Sequence, residues 1–311
     1  MSQRLNRGSN YPNGFRTGLT IQNLPIAMNP AGKVFWVDEN GGGGSKGTFD
    51  HPIASIDAAL SQCVAGRGDV IMVKPGHVEN ISAAGDLTLD VIGVSIVGTG
   101  NGDDQAKIEW DTADTADIDV TVANCTIANM WLYNNYANVD GAIDVAATGT
   151  YFTIDGCRWT CGTNILDVEE GINIAAAANY FKFTNNDVIF PAGADTESLV
   201  LTAGECINMH VEGNTICMDC SAAIFDLDAT ALTGTPLFRN NTMVLLTDTT
   251  TGLIVAINNA TVGVFVNERY ASNKGNTEPV ADPAASYLIH CHGSELNDVG
   301  SLLFPATATV W

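Results

Sequence analysis

The sequence predicts an all-β fold, a single-stranded right-handed parallel β-helix with an N-terminal cap helix and an extended N-terminal arm. Three observations predict it. An apolar residue two positions before an Asn or Gly returns about every 28 residues, and a second apolar strand repeats in the same rhythm. Charged residues are only 15% of the chain against 46% hydrophobic, too few Lys and Glu to coat helices, while Thr, Asn, Asp, Gly and Ala supply short strands and turns.

The front of the chain, residues 1–45, reads as an arm ending in a Gly-rich loop. Arg4, Arg7, Arg16 and Lys33 all precede the first acidic residue, Asp38, so a basic arm leads a body whose acids give a net charge of −22. Residues 46–68 read as a cap. In the run from His51 to Cys63, apolar residues fall at Ile53, Ile56, Leu60 and Cys63, which is helical spacing. Pro52 suits the first turn, with Asp50 or His51 just ahead. Gly68-Asp69 then leads into Val70-Ile71-Met72-Val73, where the first coil is expected to begin.

The β-helix is expected over 69–270. Its marks are Ile127-Ala128-Asn129, Ile154-Asp155-Gly156, Phe183-Thr184-Asn185, Val211-Glu212-Gly213, Phe238-Arg239-Asn240 and Phe265-Val266-Asn267, stepping by 27, 29, 28, 27 and 27 residues. Between them run Ile118-Asp119-Val120, Ile143-Asp144-Val145, Ile172-Asn173-Ile174, Leu199-Val200-Leu201, Ile224 to Leu227 and Leu253-Ile254-Val255. A coil of two or three such strands cannot bury its apolar side chains alone and must stack on its neighbours. Asn129, Gly156 and Asn267 are expected at corners, where Asn and Gly tolerate left-handed backbone angles. Asn186, Asn214 and Asn241, each next to such a mark, are expected to stack into a hydrogen-bonded ladder. A sandwich leaves the repeat unexplained, and propeller blades run longer, about 40–50 residues. Residues 271–311 read as a C-terminal cap and docking segment, with Phe304 and Trp311 the expected subunit contacts.

The run Gly47 to Leu60, followed by Gly68-Asp69-Val70-Ile71-Met72-Val73-Lys74-Pro75-Gly76, resembles the opening of many phage-encoded β-helix proteins: a turn, a Pro-led cap helix, then a Gly-Asp strand closed by Pro-Gly. Asn10-Tyr11-Pro12-Asn13-Gly14-Phe15 and Lys33-Val34-Phe35-Trp36-Val37 are similar to the front of virion-associated proteins of tailed phages. The resemblance implies a virion protein. Head decoration proteins, tailspikes and secreted lyases all use this fold, so it does not assign the task.

Chemistry is harder to place. Two carboxylates on stacked coils could hydrolyse a glycosidic bond, and Asp119, Asp144, Asp155, Asp226 and Asp228 lie on or beside strands; 35 acids nonetheless guarantee chance pairs. A polyanion lyase is disfavoured, because only Lys107, Arg158, Lys182, Arg239, Arg269 and Lys274 carry positive charge between residues 75 and 300. Cys217-x-x-Cys220 with Cys206 and His210, and His290-Cys291-His292, have metal-like spacing, but no second CxxC completes a zinc site. The eight cysteines are expected as reduced thiols. Gly41-Gly42-Gly43-Gly44-Ser45 lacks the Gly-Lys-Ser/Thr of a phosphate loop. Trp110, Trp131, Tyr133, Tyr136 and Trp159 are expected in the core or at lateral contacts more than on a sugar-binding face.

These observations lead to the expectation of a capsid decoration or cement protein without enzymatic activity, cofactor or metal, standing as a homotrimer on the virion surface. Its docking residues would be Arg4, Arg7, Tyr11, Phe15, Arg16, Leu19 and Ile21, its partner the major capsid protein. The alternative is a short tailspike that binds or hydrolyses host surface polysaccharide. The charge excludes nucleic acid and anionic membranes as partners. With no secretory leader and no run of 18 apolar residues, assembly in the host cytoplasm and no membrane span are expected. A chain lacking residues 1–33 is expected to keep its β-helix and lose attachment to the particle. Circular dichroism and co-sedimentation with particles check the two halves of that statement.

Overall fold

The computed structural model describes residues 19–21, 24–26, 32–41, 46–163, 168–191, 196–227, 234–246, 253–257, 262–272, 280–281, 287–295 and 301–302. Short strands stack in register into three sheets of ten, ten and eight strands. Consecutive strands along the chain enter the first, second and third sheet in turn, then return to the first one rung higher. Thr126–Ala128, Trp131–Asn134 and Ile143–Val145 make one such rung; Thr153–Asp155, Arg158–Cys161 and Glu170–Ile174 make the next. Each strand pairs in parallel with its equivalents above and below, as Ile127 does with Ile96 and Ile154. The chain is therefore the predicted right-handed parallel β-solenoid, with almost no helix.

Inward side chains of each sheet form continuous columns. The first sheet contributes Ile71, Ile96, Ile127, Ile154, Phe183, Val211, Phe238 and Phe265 in register, every one fully buried. Phe238 and Phe265 stack with centroids 4.9 Å apart. Each such side chain gives about 1.5–3 kcal/mol on leaving water, and like residues repeat because like positions meet across adjacent rungs. Ile118, Ile143, Ile172, Val200 and Phe225 do the same in the third sheet.

Corners follow the sequence marks. Asn129, Gly156, Asn185, Gly213, Asn240 and Asn267 all adopt positive φ between 51° and 70°, the region that favours Asn and Gly. The residue after each mark turns inward. Asn186 donates through Nδ2 to Asn214 Oδ1 at 3.1 Å, and Asn214 donates through Nδ2 to Asn241 Oδ1 at 2.8 Å. The backbone N–H groups of Asn186 and Asn214 donate to the same two oxygens. The second Nδ2 hydrogen of each Asn goes to a carbonyl of the preceding rung, from Ile154, Phe183 and Val211. Asn267 lies at a corner outside this ladder and donates instead to Asn240 Oδ1 on the exposed side, at 2.8 Å.

Three elements differ from the sequence expectation. The cap helix is only Ile56–Leu60, with Ser55 as its N-cap accepting from Ala58 N–H. Pro52 precedes the helix, and Ile53 bridges to Val37 instead of starting a helical turn. The periodicity of Ile53 comes from facing the core in extended backbone. The first coil begins before residue 69, since Val34–Val37 pairs in parallel with Val70–Val73. Asp69, fully buried, ties that junction by accepting from Lys33 N–H, Val64 N–H and Arg67. Leu19–Ile21 forms an antiparallel pair with Leu24–Ile26. Arg4, Arg7, Tyr11, Phe15, Arg16, Phe304 and Trp311 lie outside the described residues. No helix among the described residues is long and apolar enough to cross a membrane.

Replacing Asn214 with Ala would strand the buried N–H groups of Asn186 and free Asn241 Oδ1 from its side-chain donor. The expected cost is about 2–4 kcal/mol, read as a lower urea midpoint at an unchanged denaturant slope.

Candidate active site

Outward positions of the third sheet form their own column. Thr88, Asp119, Asp144, Asn173, Leu201 and Asp226 succeed one another in register. Alternation places them outside because their neighbours Ile118, Val120, Ile143 and Val145 fill the core. Along this column lies an open cleft of about 430 Å³, lined by Asp119, Asp144, Glu170 and Asn173 with an apolar rim that includes Val145, Ile174, Ala175 and Leu201. Asp117 joins from the turn before its strand. Carboxylate oxygens of Asp117, Asp119 and Asp144 all lie within 4.8 Å of one another, close enough to share a metal ion.

The cleft is electrostatically loaded. Partial burial pushes the Asp144 carboxyl upward, the charges of Asp117, Asp119 and Asp140 push it the same way, and the nearby Asn173 amide opposes them, although Asp144 Oδ1 has no well-formed hydrogen bond. Burial likewise raises Asp117, with Asp119 adding repulsion and the Gly85 N–H pulling it back. Glu170 is raised by burial and by Glu197, Asp140 and Glu169, while Asn173 stabilises its charge. Gly141, at φ +92°, makes the arrangement possible: a Cβ there would meet Asn173 Nδ2 at 2.7 Å and Asp144 Oδ1 at 3.1 Å. Cleft carboxyls whose pKa is raised beside other carboxylates suit general acid chemistry.

Of the acids singled out in the sequence, the fold brings Asp119 and Asp144 together. Asp226 stands in the same column beyond Asn173 and Leu201. Asp155 is on the first sheet, accepting from Thr184 and Asn185. Asp228 lies outside the described residues. Asp117 and Glu170 were missed, because Asp117 precedes its strand and Glu170 opens its own, outside the apolar marks, and nothing in a single rung tells that either reaches the Asp144 column.

Other candidates separate. Cys206 is buried with its thiol on the Ala178 carbonyl, and no disulfide forms among the described residues. Burial pushes the Cys157 thiol up to about 12, so it is inert as a nucleophile. Among the described residues, the group able to share a metal is the aspartate trio and not the Cys/His set. Trp110 and Trp159 are buried and stack at 6.4 Å. Trp131 is outside, with Lys107 4.8 Å and Arg158 4.6 Å from its ring centre and its Nε1–H donated to Thr160, so its faces are already used. Of the Gly-rich run, Gly42 to Ser45 lie outside the described residues.

No family model matches the chain, and no curated protein is similar to it in sequence. Solved structures are similar in fold. A rhamnogalacturonan lyase superposes with a TM-score of 0.51 at 14% identity, covering 78% of this chain and 69% of that one. A pectin methylesterase in complex with a hexasaccharide reaches 0.48 at 12% identity, covering 89% and 90%. A pectate lyase reaches 0.42 at 12% identity, covering 86% and 79%. The fold is the pectate-lyase-like right-handed β-helix.

The likeness shows the fold alone, yet it corrects one expectation. The expectation of no enzymatic activity does not stand, because the rhamnogalacturonan lyase that shares the fold is by name an enzyme. The sequence argument set the acids aside because 35 of them make chance pairs expected, and only the stacking shows that Asp119 and Asp144 meet on adjacent rungs.

Replacing Asp119 with Asn removes one charge that both neighbours feel. The carboxyl pKa values of Asp117 and Asp144 are both expected to fall, as followed by carboxyl carbon chemical shifts across a pH titration.

Proposed function

We propose that this chain is a glycan-acting β-helix protein that seats a neutral polysaccharide along the third-sheet cleft and hydrolyses it. The observation that carries the proposal is the aspartate trio, three carboxylates with oxygens within 4.8 Å of one another, of which Asp119 and Asp144 line an open cleft. Such close approach of carboxylate oxygens supports double displacement over an arrangement whose carboxyls stand roughly 6.5–9.5 Å apart to admit a water.

Asp144, raised by burial and its acidic neighbours, serves as the general acid and donates its proton to the glycosidic oxygen. Asp119 attacks the anomeric carbon as the leaving group departs. Water, deprotonated by the Asp144 carboxylate, then releases the sugar from Asp119. A neutral substrate is favoured, because a body of charge −22 and a cleft lined by Asp119, Asp144 and Glu170 repel uronic acids. The cleft lining includes no Lys or Arg among the described residues to act as a lyase base.

The setting we propose is a tailed-phage virion. There the chain acts as a short homotrimeric tailspike on host surface glycan, attached through residues 1–45. What supports this setting is the resemblance of residues 10–76 to phage β-helix openings.

Incubation with extracted neutral surface polysaccharides of candidate hosts is expected to release reducing ends. Asp144→Asn and Asp119→Asn are expected to lower that rate roughly 100-fold or more with circular dichroism unchanged. Undiminished rates in both variants would refute the assignment, and loss of activity on chelation by EDTA would convert the trio from acid–base work to holding a cation.

A further inference from the structure

The asparagine ladder does not end on an asparagine. Asn241 donates both its backbone N–H and its Nδ2–H to Glu268 Oε1, each at 3.0 Å. Glu268 thus takes, one rung on, the place that an amide fills at Asn186, Asn214 and Asn241, and its side chain is fully buried. An amide there would be neutral at every pH. A carboxyl is not.

Beyond the two hydrogen bonds from Asn241, which favour the carboxylate, the surroundings offer the charge little. Tyr270, an inward residue of the second sheet in register with Met243, is the phenol near the carboxyl. Glu268 Oε2 and Tyr270 Oη are both buried without a well-formed hydrogen bond, although the phenol is close enough to favour the carboxylate somewhat. From the following rung the facing titratable group is Cys291, a buried thiol that interacts with Glu268 as another potential anion. From the rung before, the facing side chain is the neutral Asn241. Arg269 and His290, the adjacent residues able to carry positive charge, are exposed at the surface. No cation faces the carboxyl among the described residues.

We propose that Glu268 is a pH-sensitive latch: protonated, it lets the last described rungs seat against the column, and ionised, it loosens residues 264–272 and 287–295 from the rung of Asn241. The linkage has a definite sign. Burial raises Glu268 from its ordinary 4.5 to about 7, so the folded rungs hold a proton that the unfolded chain has released. The contribution is full below about pH 4.5, declines as pH rises toward 7 and stays lost above it. The loosening is local, because the rungs of Glu268 and Cys291 together lie at the end of the described parallel ladders and join the column only on the Asn241 side.

Hydrogen exchange of the full chain, corrected for intrinsic rates, tests the latch at roughly pH 5.5 and pH 8. Peptides within 262–272 and 287–295 are expected to lose protection by about tenfold or more at the higher pH. Peptides within 70–98, at the other end of the column, are expected to stay unchanged. Glu268→Gln is expected to abolish the difference. Tyr270→Phe, which removes a group favouring the carboxylate, is expected to move the midpoint to higher pH. Terminal peptides indifferent to pH, or an undiminished loss in Glu268→Gln, would overturn the latch. Should the Gln variant not fold, an unshifted midpoint in Tyr270→Phe would overturn it as well.

Discussion

A strand of three or four residues has no stability of its own in water, and every strand of this protein's rungs is of about that length. What makes them persist is the rung-to-rung hydrogen bonding of the parallel ladders. Each rung spends its backbone groups on the two beside it, and this fixes neighbouring rungs about 4.8 Å apart. All else follows from that spacing. It sets like residues above like residues, so a column of mostly Ile and Phe fills the buried core. It also allows no drift in register, because a slip of one residue would turn every inward side chain out.

The same spacing acts on polar groups in two opposite ways. Inside, Asn186, Asn214 and Asn241 convert it into mutual satisfaction, since an amide both donates and accepts. Outside, Asp119 and Asp144 convert it into repulsion, since carboxylates can only accept. The repulsion is tolerated because the third-sheet column faces solvent and Asn173 offsets part of it at Asp144, as the Gly85 N–H does at neighbouring Asp117. Like-charged groups placed where they do not help the fold are a mark of a functional surface, by the same reasoning that treats local strain as one. Glu268 joins the two regimes: it occupies the interior ladder yet carries the acid chemistry of the exterior.

Legibility in the sequence tracked locality. Corner residues were readable because left-handed backbone is a property of one residue and its neighbours, as at Gly156 and Asn267. Strand identity was readable from alternation in segments such as Ile143-Asp144-Val145. The second sheet was harder to see, because its outward positions hold bulky aromatics and charges such as Trp131, Tyr133 and Lys107, which blur the apolar alternation. The cap helix was overextended for a related cause: Ile53 faces the core from extended backbone and imitates helical spacing.

The sequence by itself determined the column: its period, its corners, its inward faces and the positions of the amide ladder. These depend on residue type at one place repeated at regular steps, which a single chain displays openly. Only the tertiary structure decided which acids meet. Asp117 and Asp119 come within reach of Asp144 one rung away, and Glu268 inherits an asparagine's seat. Such contacts lie between rungs, and their geometry depends on turn lengths that differ from one coil to the next.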